Sequence, residues 1–483
     1  MERWYVMMKK ADFSSIGAKY NISPVIARLI RNRDIIEDEE INLYLNGTIA
    51  DLYDGMLMKD MDKAVEILSE KIREEKPVRV IGDYDIDGVN AAYILKEGLE
   101  GLGADVDTDI PDRIKDGYGL NKMLIDRALD DGIDTIITCD NGIAAAEEIT
   151  YGRKNGLTVI VTDHHQVPFV EINKEREYLL PQADAVVDPR RPDCEYPFKN
   201  LCGAAVAYKL VEALYNVMLR DPEDVDYLME NVAIATVGDV MALKGENRIF
   251  VKQGLEMLKR TKNEGLKALI ECTGINPEYL NTYDLGFVLG PCINASGRLD
   301  TAKRALELLS TRTRRDAVML AEDLKALNDS RKEMTERGIK EAAEMIETTS
   351  LKEDKVFVIY LPDCHESIAG IIAGKIRDRY YRPTIILTKA EDGVKGSGRS
   401  TEEYDMFTEL CKCQALFTKF GGHRRVPERG ECSAIQRNDQ FSLYIDRRRP
   451  SNESIYRYAS SFSVFNRRFD RAVSGDGTFR KRK

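Results

Sequence analysis

Apolar residues between positions 60 and 240 fall into two alternating rhythms. Short unbroken runs occur at Val78-Arg79-Val80-Ile81, at residues 105–110, at Thr135-Ile136-Ile137-Thr138, at Val159-Ile160-Val161 and at Ala185-Val186-Val187. Stretches with helical spacing separate them, for example residues 89–102 and 143–154. Short β-branched runs between amphipathic helices predict a parallel sheet covered on both faces. Before this region, Ser23 followed by Pro24 reads as a helix start, and Val25, Ile26, Leu29 and Ile30 give that helix an apolar face. Residues 302–347 read as one long helical stretch. A second α/β unit follows, with strands at 356–360 and 383–387 and a helix at 367–377. Beyond Gly421-Gly422-His423 no period is evident, and arginine and serine dominate. The expected organisation is a helical cap over 1–55, an α/β domain over 56–250, a helical connector over 251–349, a smaller α/β domain over 350–423 and a disordered basic tail over 424–483.

In parallel sheets of this kind ligands sit beyond the carboxyl ends of the strands. Acidic residues gather there: Asp83, Asp85 and Asp87 after the first run, Asp140 after the third, Asp163 after the fourth. The chain has only four histidines, and two of them, His164 and His165, follow Asp163 directly. In Gly82-Asp83-Tyr84-Asp85-Ile86-Asp87-Gly88 three carboxylates alternate, so an extended backbone would turn them to one side. A turn that caps a helix needs one aspartate; three ionised carboxylates this close repel one another unless a cation lies among them. Adjacent His164 and His165 side chains diverge, which suits one to a metal and the other to a substrate. Cys139-Asp140-Asn141-Gly142 alone is an ordinary turn, and Val237-Gly238-Asp239-Val240 alone is unremarkable. Together the clusters form an oxygen-rich site with one or two imidazoles, a donor mix that suits manganese or magnesium. Two such ions can activate water and clamp a phosphoryl centre, so the chemistry indicated is metal-assisted phosphoester hydrolysis.

Charge and cysteine content narrow the setting. The net charge of −11 does not advertise a nucleic-acid binder, although a local basic groove would suffice. The nine cysteines are odd in number and dispersed, which argues for reduced thiols. No apolar run reaches the roughly 20 residues needed to cross a membrane, and the N-terminus lacks a signal-peptide pattern, so a cytoplasmic location is expected.

The ordered set Asp83-Tyr84-Asp85-Ile86-Asp87-Gly88, Asp140-Asn141-Gly142, Asp163-His164-His165 and Gly238-Asp239 resembles the DHH phosphoesterase family. Ile110-Pro111-Asp112-Arg113, Asp188-Pro189, Gly245-Glu246-Asn247-Arg248, the segment from Ile293 to Leu299, Lys395-Gly396-Ser397-Gly398-Arg399-Ser400 and Phe420-Gly421-Gly422-His423 are similar to its branch of 5′→3′ exonucleases specific for single-stranded DNA. The resemblance implies a DHH domain joined by a long helical segment to a smaller, incomplete DHHA1-like domain. It implies two Mn2+ or Mg2+ ions, one held by Asp83, Asp85 and Asp140 and the other by Asp87, Asp140, His164 and Asp239. His165, with Asp163, would act at the scissile phosphate. Arg113, Asn294, Arg298, Ser397, Arg399, Ser400 and His423 would bind single-stranded DNA, with the 395–400 segment as a polar loop. Single-strand-binding protein and a RecQ-type helicase are the implied partners. An oligoribonuclease, a cyclic-dinucleotide phosphodiesterase and a non-catalytic DNA-binding scaffold are the other readings.

After His423 the family pattern of small residues opening a helix is replaced by Arg424-Arg425-Val426-Pro427. The expectation is a reading-frame shift near codon 423, testable by resequencing, that leaves residues 350–423 poorly folded and DNA binding weak.

Overall fold

A computed structural model describes residues 9, 11–112, 119–172, 175–390 and 393–412, and the backbone of 419–422 and 441–446. The chain divides into two compact units, Met1–Asn328 and Asp329–Lys483. In the first, α1 (Phe13–Tyr20), α2 (Pro24–Asn32) and α3 (Asp38–Asn46) close over Ile30, Ile35 and Ile41. Ser23 Oγ accepts the Ile26 amide at 3.3 Å and Pro24 opens α2, as the sequence predicts. The expected apolar face of α2 is only partly buried, since Val25, Ile26 and Leu29 are exposed.

Next come α4 (Met61–Arg73), β1 (Val78–Gly82), α5 (Ile86–Gly101), β2 (Val106–Asp109), α6 (Lys122–Asp130), β3 (Thr135–Cys139), α7 (Ala146–Lys154) and β4 (Thr158–Thr162). A hairpin of β5 (Phe169–Ile172) and β6 (Glu175–Tyr178) precedes β7 (Ala185–Val187). The five expected strands form one parallel sheet in the order β2-β1-β3-β4-β7. Strand periodicity sends Val80, Ile137 and Ile160 to one face with α4 and α5, and Ile81, Ile136, Val159 and Val161 to the other with α6 and α7. Burial on both faces is why these strands read as continuous apolar runs. From β1 the chain steps outward to β2 and then returns past β1 to β3 on its other side. The crevice at the carboxyl ends of β1 and β3 is therefore the switch point of the sheet.

Beyond the sheet lie α8 (Gly203–Val217), α9 (Met229–Gly238), α10 (Gly245–Leu258), α11 (Glu264–Cys272), α12 (Thr282–Asp284), a π-helical turn at Leu285–Leu289, α13 (Gly290–Leu299), α14 (Lys303–Ser310) and α15 (Arg314–Thr348). Residues 251–324 are not a free connector. Leu258, Leu269, Leu289, Ile293, Leu309 and Leu324 join the same core as Val80 and Ile137. The stretch expected as one helix from 302 is interrupted between α14 and α15. There the Arg312 guanidinium pairs with the buried Glu97 carboxylate of α5 at 2.7 Å.

The Gly245-Glu246-Asn247-Arg248 motif is a buried clamp. Glu246 accepts the Tyr53 amide at 2.9 Å and the Tyr196 hydroxyl at 2.7 Å, and pairs with the fully buried Lys209 ammonium at 3.2 Å. Asn247 Nδ2 donates to the Asn200 carbonyl at 2.6 Å, and the Arg248 guanidinium stacks 3.8 Å over the Tyr44 ring. The motif ties the N-terminal segment to α8 and α10.

The second unit holds β8 (Phe357–Tyr360), α16 (Ala369–Tyr380), β9 (Thr384–Ala390), β10 (Gly393–Arg399), α17 (Met406–Cys411), β11 (Lys419–Gly422) and β12 (Phe441–Asp446). Its sheet runs β11-β12-β10-β9-β8, with β8 and β9 parallel and the other pairs antiparallel. Three expectations are corrected here. The described part is well packed, with Phe357, Ile359, Ile372, Ile376 and Ile386 buried against the end of α15. The 395–400 segment is an inner strand rather than a loop; Gly396 and Gly398 leave gaps in the side-chain alternation that would have marked it. The tail returns a strand at 441–446, where Phe441, Leu443 and Ile445 alternate with Ser442, Tyr444 and Asp446. The rest of 424–483 and the expected site residues Arg113 and His423 lie outside the described residues.

Candidate metal centre

The carboxyl ends of β1, β3 and β4 and the end of α9 bring the acidic clusters together. Asp83 leaves β1 and is buried. Asp85 is the N-cap of α5, its Oδ1 accepting the amides of Asp87 and Gly88 at 2.9 and 3.1 Å. Asp85 thus caps α5 and also lies in a candidate ligand group, so the helix-capping and ligand readings of this loop meet in one residue. Asp140 follows β3 in a left-handed conformation (φ 58°), which aspartate tolerates better than most residues. Asp239 caps the end of α9. The next residue, Val240, also has φ 58°, a strained state for a β-branched side chain costing about 1–3 kcal/mol.

Three groups of donor atoms, each mutually within 4.8 Å, result: Asp83 with Asp85 and Asp140; Asp87 with His164 and Asp239; and Asp140 with His164 and His165. His164 Nε2 lies 3.0 Å from Asp140, 3.4 Å from Asp87 and 4.0 Å from Asp239. The two imidazoles do not diverge as far as expected; their centroids are 4.5 Å apart, and His165 Nδ1 is 3.9 Å from Asp140.

The electrostatics mark a cation site. Burial first, then the neighbouring Asp85, pushes the Asp87 carboxyl up to about 7; burial and Asp87 do the same for Asp239. Asp140 is raised well above the carboxylate range by burial and by Asp87, Asp85 and Asp83. Burial and His165 lower His164 to about 4, so its imidazole is neutral and available as a ligand. A cluster of buried, mutually repelling carboxylates with one neutral imidazole fits a hard divalent cation.

Asp163 has a different task. Its Oδ2 accepts the Ile143 amide at 2.9 Å, and its Oδ1 accepts the amides of His164 and His165 and lies 2.7 Å from His165 Nδ1. Burial opposes charge on both partners, yet their hydrogen bond holds Asp163 down at about 2 and lifts His165 to about 9. A raised histidine stabilises the fold below its unfolded value of 6.5 and loses that contribution as pH rises through 9; a depressed aspartate loses its share only as pH falls toward 2. With metal chelated, the wild-type melting temperature is therefore expected to drop between pH 6.5 and 9 more steeply than that of Asp163→Asn. Equal slopes in thermal scans would refute the pairing.

Several contributors were not legible in the sequence. The first amides of α8 cap Asp87: Gly203 N donates to Oδ2 at 2.6 Å and Ala204 N to Oδ1 at 2.8 Å. Gly203 also lies against Asp140, where a Cβ would sit 2.7 Å from the aspartate Cβ. Nothing in the run Leu201-Cys202-Gly203 signals this, because the donors are backbone groups. Asp188, already marked in the sequence by the Asp188-Pro189 motif, follows β7 and is fully buried, and burial with Asp163 raises it to about 8.

The residues expected to bind substrate are placed as follows. Asn294 on α13 accepts the Ile86 amide at 2.9 Å, so it holds the loop that carries Asp85 and Asp87. Asn294→Ala is expected to cost about tenfold in metal affinity, read by Mn2+ titration. Arg298 is half-buried in the last turn of α13. In the second unit, Ser397 and Arg399 lie on β10, with Arg399 buried against α16, where a Cβ on Gly370 would meet its guanidinium at 2.8 Å. Ser400 is buried and its hydroxyl donates to the Tyr404 carbonyl, so it serves the fold of its own turn.

Among the described residues no helix is long and apolar enough to cross a membrane. Residues 77–236 match the family model for the DHH family, N-terminal domain, and residues 353–426 match that for the DHHA1 domain. The chain is 37% identical over 424 residues to the single-stranded-DNA-specific exonuclease RecJ of Bacillus subtilis, matching 87% of this chain and 52% of that protein. It is 35% identical to the exonucleases of the same name from Salmonella typhimurium and Escherichia coli, with 83% and 88% of this chain matched to 71% and 74% of theirs. Thus the chain spans about half the length of the first of these relatives and over two thirds of the other two. A crystal structure of exonuclease RecJ bound to manganese superimposes with a TM-score of 0.67 at 30% identity, covering 81% of this chain and 91% of the other. RecJ from Thermus thermophilus in complex with Mn2+ gives 0.73 at 28% identity, over 90% and 58%.

Proposed function

The chain belongs to the RecJ family, and from that membership we propose that it is a metal-dependent exonuclease that hydrolyses phosphodiester bonds from the 5′ end of single-stranded DNA in repair and recombination. The observation that carries this reading is the convergence of Asp83, Asp85, Asp87, Asp140, His164 and Asp239 on one crevice. Asp83, Asp85 and Asp140 would hold one Mn2+ or Mg2+; Asp87, Asp140, His164 and Asp239 would hold the other. When bound, the pair supplies charge neutralisation and nucleophile activation for in-line displacement at phosphorus.

The protein groups do the rest. Asp163 fixes the His165 ring and keeps it protonated at neutral pH. His165 is partly exposed at the edge of the site, where it stabilises charge on the phosphoryl oxygens and returns a proton to the leaving 3′ oxygen. On the strength of the family resemblance we assign Arg298 and Arg399 as planar donors that match phosphate oxygens. We assign Arg113 and Ser397 to the same task on the strength of the family resemblance. The same resemblance supports a cytoplasmic setting, with single-strand-binding protein and a RecQ-type helicase as partners.

A time course on 5′-labelled single strands, with and without Mn2+, tests the reading. Labelled mononucleotide should appear first and only with metal. Release of label from dinucleotides alone, or hydrolysis indifferent to chelator, would refute it.

A further inference from the structure

Aromatic residues make up 8% of the chain, yet three of them, Tyr279, Tyr283 and Phe287, recur at four-residue spacing just before the α13 segment that carries Asn294. All three are largely exposed, at 76%, 63% and 67%. Exposed rings this large are unfavourable in water unless something covers them. Tyr283 and Phe287 are stacked on each other, with centroids 4.8 Å apart and planes 26° apart. They sit on α12 and the π-helical turn Leu285–Leu289, and such turns concentrate at functional sites.

The position of this helical run narrows the occupant. Gly286, between the two rings in sequence, packs on Val237, where a Cβ would lie 3.3 Å from Val237 Cγ1, two residues before the ligand Asp239. One turn on, Gly290 lies against Ile86, Asn294 accepts the Ile86 amide, and Gly297 abuts the Tyr84 carbonyl. The rings therefore stand on the run that braces the metal loop. The charges beside them are Glu278 and Asp284, with Asp284 Oδ2 taken up by the Asn281 amide and side chain. Asp284 is thus engaged within its own turn, and the exposed ring faces are the chemistry this surface offers a ligand.

We propose that Tyr283 and Phe287 form a stacking platform for the bases of the single strand that feeds the metal centre. This rests on the single-strand reading above. Base–aromatic stacking is tolerant of sequence because every base has a π-face, and a duplex, whose bases are already stacked on one another, offers none. The platform would add affinity for long single strands that a dinucleotide confined to the metal centre cannot use.

The test compares KM for strands of about twenty nucleotides with KM for dinucleotides, in the full chain with Mn2+. The wild-type preference for the long strand is expected to fall about tenfold or more in Tyr283→Ala/Phe287→Ala. Phe287→Trp should retain the preference, and Phe287→Leu, which keeps apolar area but not the ring, should not. Replacing the bases by abasic sites should erase the difference between wild type and the double variant. A preference unchanged within about twofold in the double variant would overturn the platform, as would one restored equally by leucine and tryptophan. If the double variant instead lowers the solution mass while the preference stays, the rings belong to a contact between copies of the chain and the proposal falls. Failure of the wild type to cleave single strands at all would strike the underlying reading instead.

Discussion

Asp140→Asn is expected to abolish Mn2+-stimulated hydrolysis, by at least about a thousandfold, and at the same time to raise the melting temperature of the metal-free protein. The two effects share one cause. Asp140 is buried among Asp83, Asp85 and Asp87 and within 3.0 Å of His164, so its negative charge has value only when a cation is present. Asparagine keeps the shape and tolerates the left-handed backbone, yet removes the charge that both donor sets require. Without metal, deleting one of several repelling carboxylates relieves strain. Parallel activity assays and thermal scans in chelator decide the point. A variant that loses activity and also melts lower in chelator would mean that the cluster is held by contacts other than a cation.

Gly203→Ala is the second large effect. A methyl group there would sit 2.7 Å from Asp140 Cβ and 3.0 Å from its Cα, with no flexible side-chain end to yield. Either β3's following turn moves or the start of α8 does. The second movement also withdraws the Gly203 and Ala204 amides from Asp87. The expected outcome is a loss of about 1–3 kcal/mol in stability and about a hundredfold in activity, since small displacements at a reacting centre cost that much. Denaturant unfolding and single-strand hydrolysis measure both. Normal activity with normal stability would show that α8 is not part of the site.

These two positions illustrate what could be read from the chain. Asp140 was legible because it directly follows an apolar strand run, and a parallel sheet directs such residues to the same edge as the other acidic clusters. The five strands were legible because burial on both faces leaves an uninterrupted apolar signature. Gly203 was not, because its contribution is a backbone N–H and an absent side chain. Asn294 was singled out, but its contact with the Ile86 amide lies 208 positions away in sequence, a distance no local pattern can report. The inner strand β10 was missed since its glycines carry no alternation, and the helices of 251–324 were mistaken for a connector because helical periodicity does not say which partner an apolar face will find.

The dispersal of the site also constrains how the protein comes into being. Synthesis delivers the N-terminal part first, but Asp87 lacks its amide cap until Gly203 has emerged, the second donor set lacks Asp239, and the metal loop is unbraced until Asn294 arrives. A ribosome-bound fragment can thus fold much of the sheet and still be inert. On the proposed reading, hydrolysis would switch on late, when most of the first unit exists, and a chain abandoned before that point would pose no hazard to the nucleic acid around it.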